Sequence, residues 1–455
     1  MGHLSAAPAP PPDPARWWRA APLAGIWLLL VTTLSLRGHV PLTYDEAWNF
    51  TDVASHGVVY VISHYPNPNN HVAFTALQAI SLPATLVETW PPLLRIPNLL
   101  VGAALLALLV RVLGQGTGPV TATLIALCAL LSAPLFTTYL LLARGYLLGT
   151  LLLLASLVWA AEGRSLGGTV VLLALATWTV PTFGYAVPGA LAGAALCGRD
   201  LRRAAVAVSL AGLACLALVL LLYAPVLPAM LAQRQSWRGA ALPGRFSLGL
   251  LGRLANVPST ATGVGVLLLA MGGAVLARRR PDRFRDRLLL LTFAAGASFL
   301  LVAETLTALG LAGTPFWRNI LFAPLFLALA LGLALPALPR GGQVLIWALL
   351  VSNAALGVRD LGTSFVTGSP AEYRALRALG PTGIERALEA GAPFFNVRCD
   401  RLAEAVCQAY AAHLPGLSFG PAESGSLPCL AGGAPPPDGL GIAVSTGGGR
   451  RQLCY

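Results

Sequence analysis

The chain has 455 residues, of which 56% are hydrophobic and only 11% are charged, and its formal net charge is +12. A soluble domain carries about 25% charged residues, so this composition excludes a soluble fold and predicts an integral membrane protein. The positive charge does not indicate nucleic-acid binding, because most of the arginines occupy short loops between apolar segments, where they set membrane orientation. All 30 basic residues are Arg, which excludes Schiff-base chemistry on a lysine.

The first apolar segment, 21–36, follows a Pro/Ala-rich stretch, 1–20. We interpret it as an uncleaved anchor rather than a signal peptide, because no small-x-small cleavage site precedes Asp45 and many apolar segments come later. Pro181 and Pro188 predict two short helices that meet near 181–185. The later apolar segments are 71–89, 96–113, 119–135, 145–161, 168–180, 186–198, 203–223, 259–277, 288–307, 319–335 and 343–358.

Charge predicts the orientation of these segments. The arginine-rich loops 278–287 and 199–203 indicate the cytoplasmic side, together with the N-terminus. Strict alternation from these loops leaves both Arg95 and the loop 39–70 on the outer side, so segment 71–89 cannot be a simple span. We expect it to lie along the outer interface as a juxtamembrane helix. Eleven spans remain, and the tail after the last span is outside.

The predicted fold class is therefore an all-α polytopic membrane protein. Residues 1–20 form a cytoplasmic segment, 21–358 a bundle of about 11 transmembrane helices with its first outer loop at 39–95, and 359–455 a small extracytoplasmic domain. This tail carries one predicted helix, 369–412, before a Gly/Pro-rich remainder. Its cysteines indicate two disulfides in an oxidising compartment, with three pairings open. The disulfide candidates are Cys399, Cys407, Cys429 and Cys454.

An acidic pair, Asp45-Glu46, lies in the first outer loop, directly after the first span. Only nine acidic residues occur between 21 and 358, and four of them fall in this loop. A carboxylate at the membrane rim could accept a proton from an attacking hydroxyl or bind a divalent cation. The alternative is the solvated first turn of a helix capped by Thr43.

Other polar residues flank the predicted outer helix ends. Asn69-Asn70-His71 is either a helix cap or a polar wall facing a sugar, with His71 as proton shuttle or metal ligand. Arg144 and Arg318 stand at outer helix starts, against the positive-inside bias. Each either extends towards the headgroups or binds a lipid phosphate, since guanidinium matches phosphate oxygens bidentately.

At these residues the chain resembles the GT-C superfamily of lipid-phosphate-dependent glycosyltransferases. It looks closest to the bacterial relatives of protein O-mannosyltransferases and aminoarabinose transferases, which are family 39-like. The resemblance covers about 40–335 and leaves the tail out. The matching elements, in chain order, are Asp45-Glu46, Pro68-Asn69-Asn70-His71, Leu94-Arg95-Ile96-Pro97, Ala143-Arg144-Gly145-Tyr146 and Trp317-Arg318-Asn319, where the family has Arg-Tyr.

The resemblance implies an outward-facing cavity, a polyprenyl-phosphate-linked sugar donor and inversion at the anomeric carbon. It implies Asp45 as catalytic base, with Glu46 beside it. The residues that it implies in substrate binding are Asn69, Asn70, His71, Arg95, Arg144, Tyr146 and Arg318. No cofactor is certain. A divalent cation held by Asp45, Glu46 and His71 stays open, although Asn69 and Asn70 supply no acid for it.

The expected setting is the inner, cytoplasmic membrane of the cell, with the active site and the C-terminus on the periplasmic or extracellular side. The expected partners are membrane lipid, the polyprenyl-phosphate-linked sugar and a hydroxyl acceptor of unknown class, with no nucleic acid. The main alternative is a transporter or flippase of lipid-linked sugars, which would need ionisable residues at mid-membrane. A scaffold subunit, whose tail binds a partner, is a further alternative, and a lipid-linked ligase or polymerase differs only in its acceptor.

Overall fold

A computed structural model describes residues 22–28, 46, 49–50, 52–66, 71–82, 91–131, 142–197, 201–238, 284–308, 322–362, 396–399, 418–421, 442–446 and 449–453. Residues 22–28 are helical. The α-helices that follow are α1 (Val58–Ser63), α2 (Val72–Ser81), α3 (Ile96–Thr117), α4 (Pro119–Leu131), α5 (Tyr146–Ala161), α6 (Leu166–Thr179), α7 (Val187–Leu196), α8 (Leu201–Tyr223), α9 (Leu227–Arg238), α10 (Phe284–Ala308), α11 (Phe322–Ala334) and α12 (Arg340–Gly362). Short 3-10 helices occupy Ala54–His56, Pro91–Arg95, Pro181–Ala186 and Leu335–Ala337.

Proline and glycine set several helix boundaries. Pro97 and Pro188 lie in the first turns of α3 and α7, where a missing N–H removes no helical hydrogen bond. Gly118 ends α3 with a φ of +80°, a conformation that favours glycine because it has no Cβ. Pro119 then begins α4, so the two helices are joined by a single residue and pack along each other.

The apolar surface of the helices identifies a membrane protein. In the described ranges, Leu93–Gln115, Arg202–Tyr223 and Phe284–Ala303 are long and apolar enough to cross a bilayer. The large side chains that α8 exposes suit contact with lipid rather than water; they are Val206, Leu210, Leu213, Leu216, Leu220 and Leu221. The other described apolar helices are shorter and the segment 259–277 lies outside the described residues, so the eleven spans stay a prediction.

One local expectation agrees with the structure, and the membrane-surface position of a second stays a prediction. The segment predicted to lie on the membrane surface contains α2, whose ten residues measure about 15 Å, half of the roughly 30 Å hydrocarbon core. α2 packs against α1 and α6. The predicted break near 181–185 is the 3-10 helix Pro181–Ala186, which separates α6 from α7.

The bundle has two ends, which we call the site end and the far end and define by the contacts that follow. At the site end, Asn98 at the start of α3 donates a hydrogen bond to Leu142 O, just before α5. α6 runs back to this end, where Thr179 O meets His71. At the far end, Arg111 near the end of α3 contacts Glu162, directly after α5. α3 and α5 therefore run in the same direction, with their starts at the site end and a shared apolar core between the two ends.

The tail contains a mixed four-stranded sheet, which corrects the sequence prediction. The strands are β1 (Asn396–Cys399), β2 (Ser418–Pro421), β3 (Ile442–Thr446) and β4 (Gly449–Leu453). Their order is β2-β1-β3-β4, with β1 and β2 parallel and the other pairs antiparallel.

The all-α assignment is therefore wrong for these residues, and the helix predicted over 369–412 is wrong at 396–399. The polar-apolar alternation of Asn396-Val397-Arg398-Cys399 has the two-residue period of a strand. Cys399 ends β1, whereas Cys407, Cys429 and Cys454 lie outside the described residues. The disulfides stay a prediction.

Candidate functional site

A fully buried ion pair joins Glu46 to the start of α3. Arg95 donates from Nε to Oε1 of Glu46 over 3.0 Å and from Nη2 to Oε2 over 3.1 Å. Both side chains are 0% exposed. Two parallel N–H···O bonds of this kind fix the planes of guanidinium and carboxylate relative to each other. Glu46 of the predicted acidic motif is thus rigidly attached to the Leu94–Pro97 element.

The same carboxylate also holds the segment that precedes α5. Oε1 of Glu46 accepts a hydrogen bond of 2.7 Å from the backbone N–H of Ala143. One residue earlier, Leu142 O accepts 2.6 Å from Asn98 Nδ2 and 2.9 Å from the backbone N–H of Arg144. Two bonds from Glu46 and Asn98, with a third inside the segment, therefore fix residues 142–144. The side chain of Arg144 is buried, at 3% exposure.

His71 is buried between α5 and the end of α6. Its Nδ1 lies 3.2 Å from Thr179 O. Since a carbonyl oxygen only accepts hydrogen bonds, Nδ1 donates a proton in this contact. The ring meets Tyr146 edge-on, with centroids 4.4 Å apart at 71°. A Cβ at Gly145 would lie 2.7 Å from the Cβ of His71, so only glycine permits this approach.

A second buried network was missed by the sequence analysis. Asn49 donates from Nδ2 to Thr75 Oγ1 (3.0 Å) and to Gln78 Oε1 (3.2 Å), and its Oδ1 accepts 3.1 Å from Thr75 Oγ1. Gln78 continues the chain by donating 3.2 Å to Leu94 O. The signal was present, because His71, Thr75 and Gln78 follow the i, i+4, i+7 spacing of one helix face.

Two buried tyrosines, Tyr65 and Tyr223, connect this region to α6 and α8. Tyr65 is buried in a cluster with Tyr223, and burial, with a smaller effect of Tyr146, raises the pKa of the Tyr65 hydroxyl above its usual value. It is therefore neutral at physiological pH. Tyr223 donates from its hydroxyl to Thr177 O (3.0 Å) and to Trp178 O (2.9 Å). These bonds attach the end of α8 to the end of α6, beside Thr179.

The structure brings most of the predicted site residues together at the site end. Those that it describes there are Glu46, His71, Arg95, Arg144 and Tyr146. Those that lie outside the described residues are Asp45, Asn69, Asn70 and Arg318. In the part of the chain that is described, no three His, Cys, Asp or Glu side chains cluster as metal ligands. A cation site that includes Asp45 is therefore untested.

No protein-family model matches the chain, and no curated protein matches it. Among solved structures, the chain is similar to the crystal structure of ArnT from Cupriavidus metallidurans bound to undecaprenyl phosphate. The identity is 15%, the match covers 86% of this chain and 74% of that chain, and the TM-score is 0.49. This likeness is too distant to carry residue roles, substrates or a mechanism over to the present chain.

Proposed function

We propose that this chain is a membrane glycosyltransferase that transfers a sugar from a polyprenyl-phosphate donor to an acceptor hydroxyl on the outer side of the membrane, with inversion. The supporting observation is the junction of Glu46 with Arg95 and the N–H of Ala143. It unites three motifs that are far apart in the sequence and that each carry the GT-C resemblance. Their union at one end of a helix bundle suits a donor whose phosphate stays at the membrane surface.

The two neighbouring acids take different roles in this proposal. Both oxygens of Glu46 face Arg95, and Oε1 also accepts from Ala143. A carboxylate whose two oxygens are bound in this way is held in place by the protein. We therefore assign Glu46 as a positioning residue that fixes the backbone next to Asp45. Asp45 is the general base that takes the proton of the acceptor hydroxyl.

The chemical step is a single in-line displacement. The acceptor oxygen forms a bond to the anomeric carbon as the bond from that carbon to the phosphate oxygen breaks. The bonding electrons leave with the lipid phosphate, and the acceptor proton passes to Asp45. Arg144 and Arg318 meet the negative charge that grows on the phosphate, because fixed guanidinium groups stabilise such a leaving group. Asn69, Asn70 and His71 contact the sugar.

The distribution of buried charge supports a transferase over a transporter. Among the described residues, the buried charged side chains are Glu46, Arg95 and Arg144, and all of them lie at the site end. Buried hydroxyls within the described helices, such as Thr150 and Thr292, donate to the carbonyl four residues earlier in their own helix. Transporters instead place ionisable groups and interrupted helices near the bilayer midplane.

Donor consumption tests this function. Purified protein in detergent is given undecaprenyl-phosphate-linked hexoses and pentoses with a mixture of hydroxyl acceptors, and the loss of each donor is followed. A transferase consumes at least one donor, whereas a transporter consumes none. Asp45→Asn should lower the rate by about 10²–10⁴-fold, the range for loss of a general base, while donor binding and melting temperature stay at the wild-type values.

Asp52→Asn is the matched control, because Asp52 is an exposed acid of the same loop. It should transfer sugar at the wild-type rate. Wild-type transfer by folded Asp45→Asn protein would refute the assignment of the base. Failure of the wild-type chain to consume any donor would refute the proposed function itself.

A further inference from the structure

The register of the tail sheet limits which cysteines can form disulfide bonds with each other. Cys399 is the last residue of β1, and Leu453, the residue before Cys454, is the last residue of β4. Cys407, Cys429 and Cys454 lie outside the described residues. Cys399 and Leu453 are therefore the two fixed points for any bond between β1 and the end of the chain.

These two fixed points lie in one row across the sheet. In the antiparallel pair β1-β3, Arg398 is opposite Ala443, so the register places the next residue, Cys399, beside Ile442. In the antiparallel pair β3-β4, Ile442 is opposite Leu453. The row therefore runs from Cys399 through Ile442 to Leu453, and β3 separates its two ends.

The width of this row is too large for a bond between Cys399 and Cys454. Neighbouring strands lie about 4.8 Å apart, so the Cα atoms of Cys399 and Leu453 are about 9.6 Å apart. Cys454 lies one Cα–Cα step of about 3.8 Å beyond Leu453. A step straight towards Cys399 is blocked, because the backbone of Ile442 occupies that line.

A step that clears Ile442 still leaves the Cα atoms of Cys399 and Cys454 about 8 Å or more apart. Bonded cysteines have their Cα atoms within about 7 Å of each other. The sheet therefore excludes one of the three pairings that the sequence leaves open.

The two pairings that remain share one feature. Each joins Cys399 to either Cys407 or Cys429 and joins Cys454 to the other. Both of these partners belong to the segment 400–441, which connects β1 to β3 and contains β2. In either case the end of β1 and the end of the chain are attached to this connection instead of to each other.

We propose that Cys399 and Cys454 each form a disulfide with the segment 400–441, one with Cys407 and the other with Cys429. Each bond forms by thiol–disulfide exchange. Two thiols pass two electrons and two protons to the disulfide of an extracytoplasmic thiol oxidoreductase, which becomes a dithiol. Such bonds persist in an oxidising compartment, which fits the expected outer position of the tail. The pairing is independent of the sugar-transfer proposal.

The bond at Cys454 has a structural consequence for β4. This strand has five residues and stands at one edge of the sheet, where β3 is its neighbour. An edge strand this short is held by few hydrogen bonds. A covalent bond from the residue directly after β4 therefore fastens the edge of the sheet to the segment 400–441.

Peptide mapping of the full-length protein tests the pairing. Protein purified without reductant is treated with N-ethylmaleimide to block free thiols and is then digested with trypsin. Cleavage after the arginines of this region separates the four cysteines into three peptides, 399–401, 402–450 and 452–455. The middle peptide contains both Cys407 and Cys429. Mass spectrometry should detect all three peptides joined as one species, and reduction should release them.

Two results of this map would overturn the proposal. The first is a direct bond between 399–401 and 452–455, with the middle peptide closed on itself by a bond between Cys407 and Cys429. The second is N-ethylmaleimide on all four cysteines, which would show that the tail holds no disulfide. Neither result depends on whether the protein transfers sugar.

Cys454→Ser sharpens the same measurement. The variant should carry one N-ethylmaleimide on the peptide 402–450, which stays bonded to 399–401. N-ethylmaleimide on 399–401 would instead show that Cys399 had been the partner of Cys454, and it would overturn the proposal. Cys128→Ser is the matched control, because Cys128 is a free cysteine of α4. It should leave the three-peptide species unchanged, and loss of that species would contradict a pairing confined to the tail.

Discussion

The two ends of the bundle use the same pair of chemical groups in different surroundings. At the site end, Glu46 and Arg95 are 0% exposed and meet in a bidentate pair. At the far end, Glu162 pairs with arginines that are about half exposed. A buried charge that loses its partner costs several kcal/mol, whereas an exposed pair contributes 0–1 kcal/mol. Burial therefore makes the first pair a structural requirement, whereas the second is a surface pair that water can solvate.

The largest effect is expected for Glu46→Gln. The change keeps the shape of the side chain but leaves the buried Arg95 guanidinium without its counter-charge, which costs about 3–5 kcal/mol. The apparent melting temperature in detergent should fall further than for the Gln78, Gln343 and Glu162 variants described below. A melting temperature equal to the wild type would contradict the role of this pair.

A double-mutant cycle separates the interaction energy between Glu46 and Arg95 from the contribution that each side chain makes alone. Glu46→Leu and Arg95→Met should each lower the melting temperature, and the double variant should lose less than the sum, because no charge is then left buried without a partner. Additive losses would show that the two side chains stabilise the site end independently.

An intermediate effect is expected for Gln78→Leu, and Gln343→Leu is its matched control. Each glutamine donates from Nε2 to a backbone carbonyl, Gln78 to Leu94 O (3.2 Å) and Gln343 to Leu338 O (2.9 Å). Gln78 is 2% exposed and its loss leaves Asn49 and Leu94 O with unmade bonds, at about 1–3 kcal/mol. Gln343 is only partly buried, so its loss should shift the melting temperature by less than half as much. Equal shifts in melting temperature would show that the greater burial of Gln78 does not make its hydrogen bond contribute more to stability than that of Gln343.

The smallest effect is expected for Glu162→Gln at the far end. The exposed arginines stay solvated when the carboxylate is removed, so stability should change by less than about 1 kcal/mol. Melting at low and high salt measures this, because the difference from the wild type should disappear at about 1 M ionic strength. A loss as large as that of Glu46→Gln would remove the distinction between the two ends.

Local patterns predicted the bundle well. Proline positions predicted the break between α6 and α7, and apolar segments predicted most of the described helices to within a few residues. These features depend on near neighbours in the chain. The sheet in the tail was missed because strand pairing joins residues far apart, such as Asn396 with Ser445, and strands of four or five residues give a weak periodic signal.

The candidate site was predicted as a set of residues but not as an arrangement. The sequence singled out Glu46, Arg95 and Arg144, but it could not show that Glu46 accepts hydrogen bonds from Arg95 and Ala143. That pairing depends on how α3 and α5 pack, which a motif does not encode. Asn49 and Gln78 were missed for the same reason, since each looks like an ordinary loop or helix residue until its partner is known.

The long sequence separations within the site have a consequence for its biogenesis. Glu46 is 49 residues from Arg95 and 97 from Ala143, and His71 is 108 residues from Thr179. At a synthesis rate of about 5–20 residues per second, Glu46 leaves the ribosome several seconds to about half a minute before Thr179. The acidic loop is thus made first and meets its partners last, so the site end is complete only after the helix hairpins that follow the loop have been inserted.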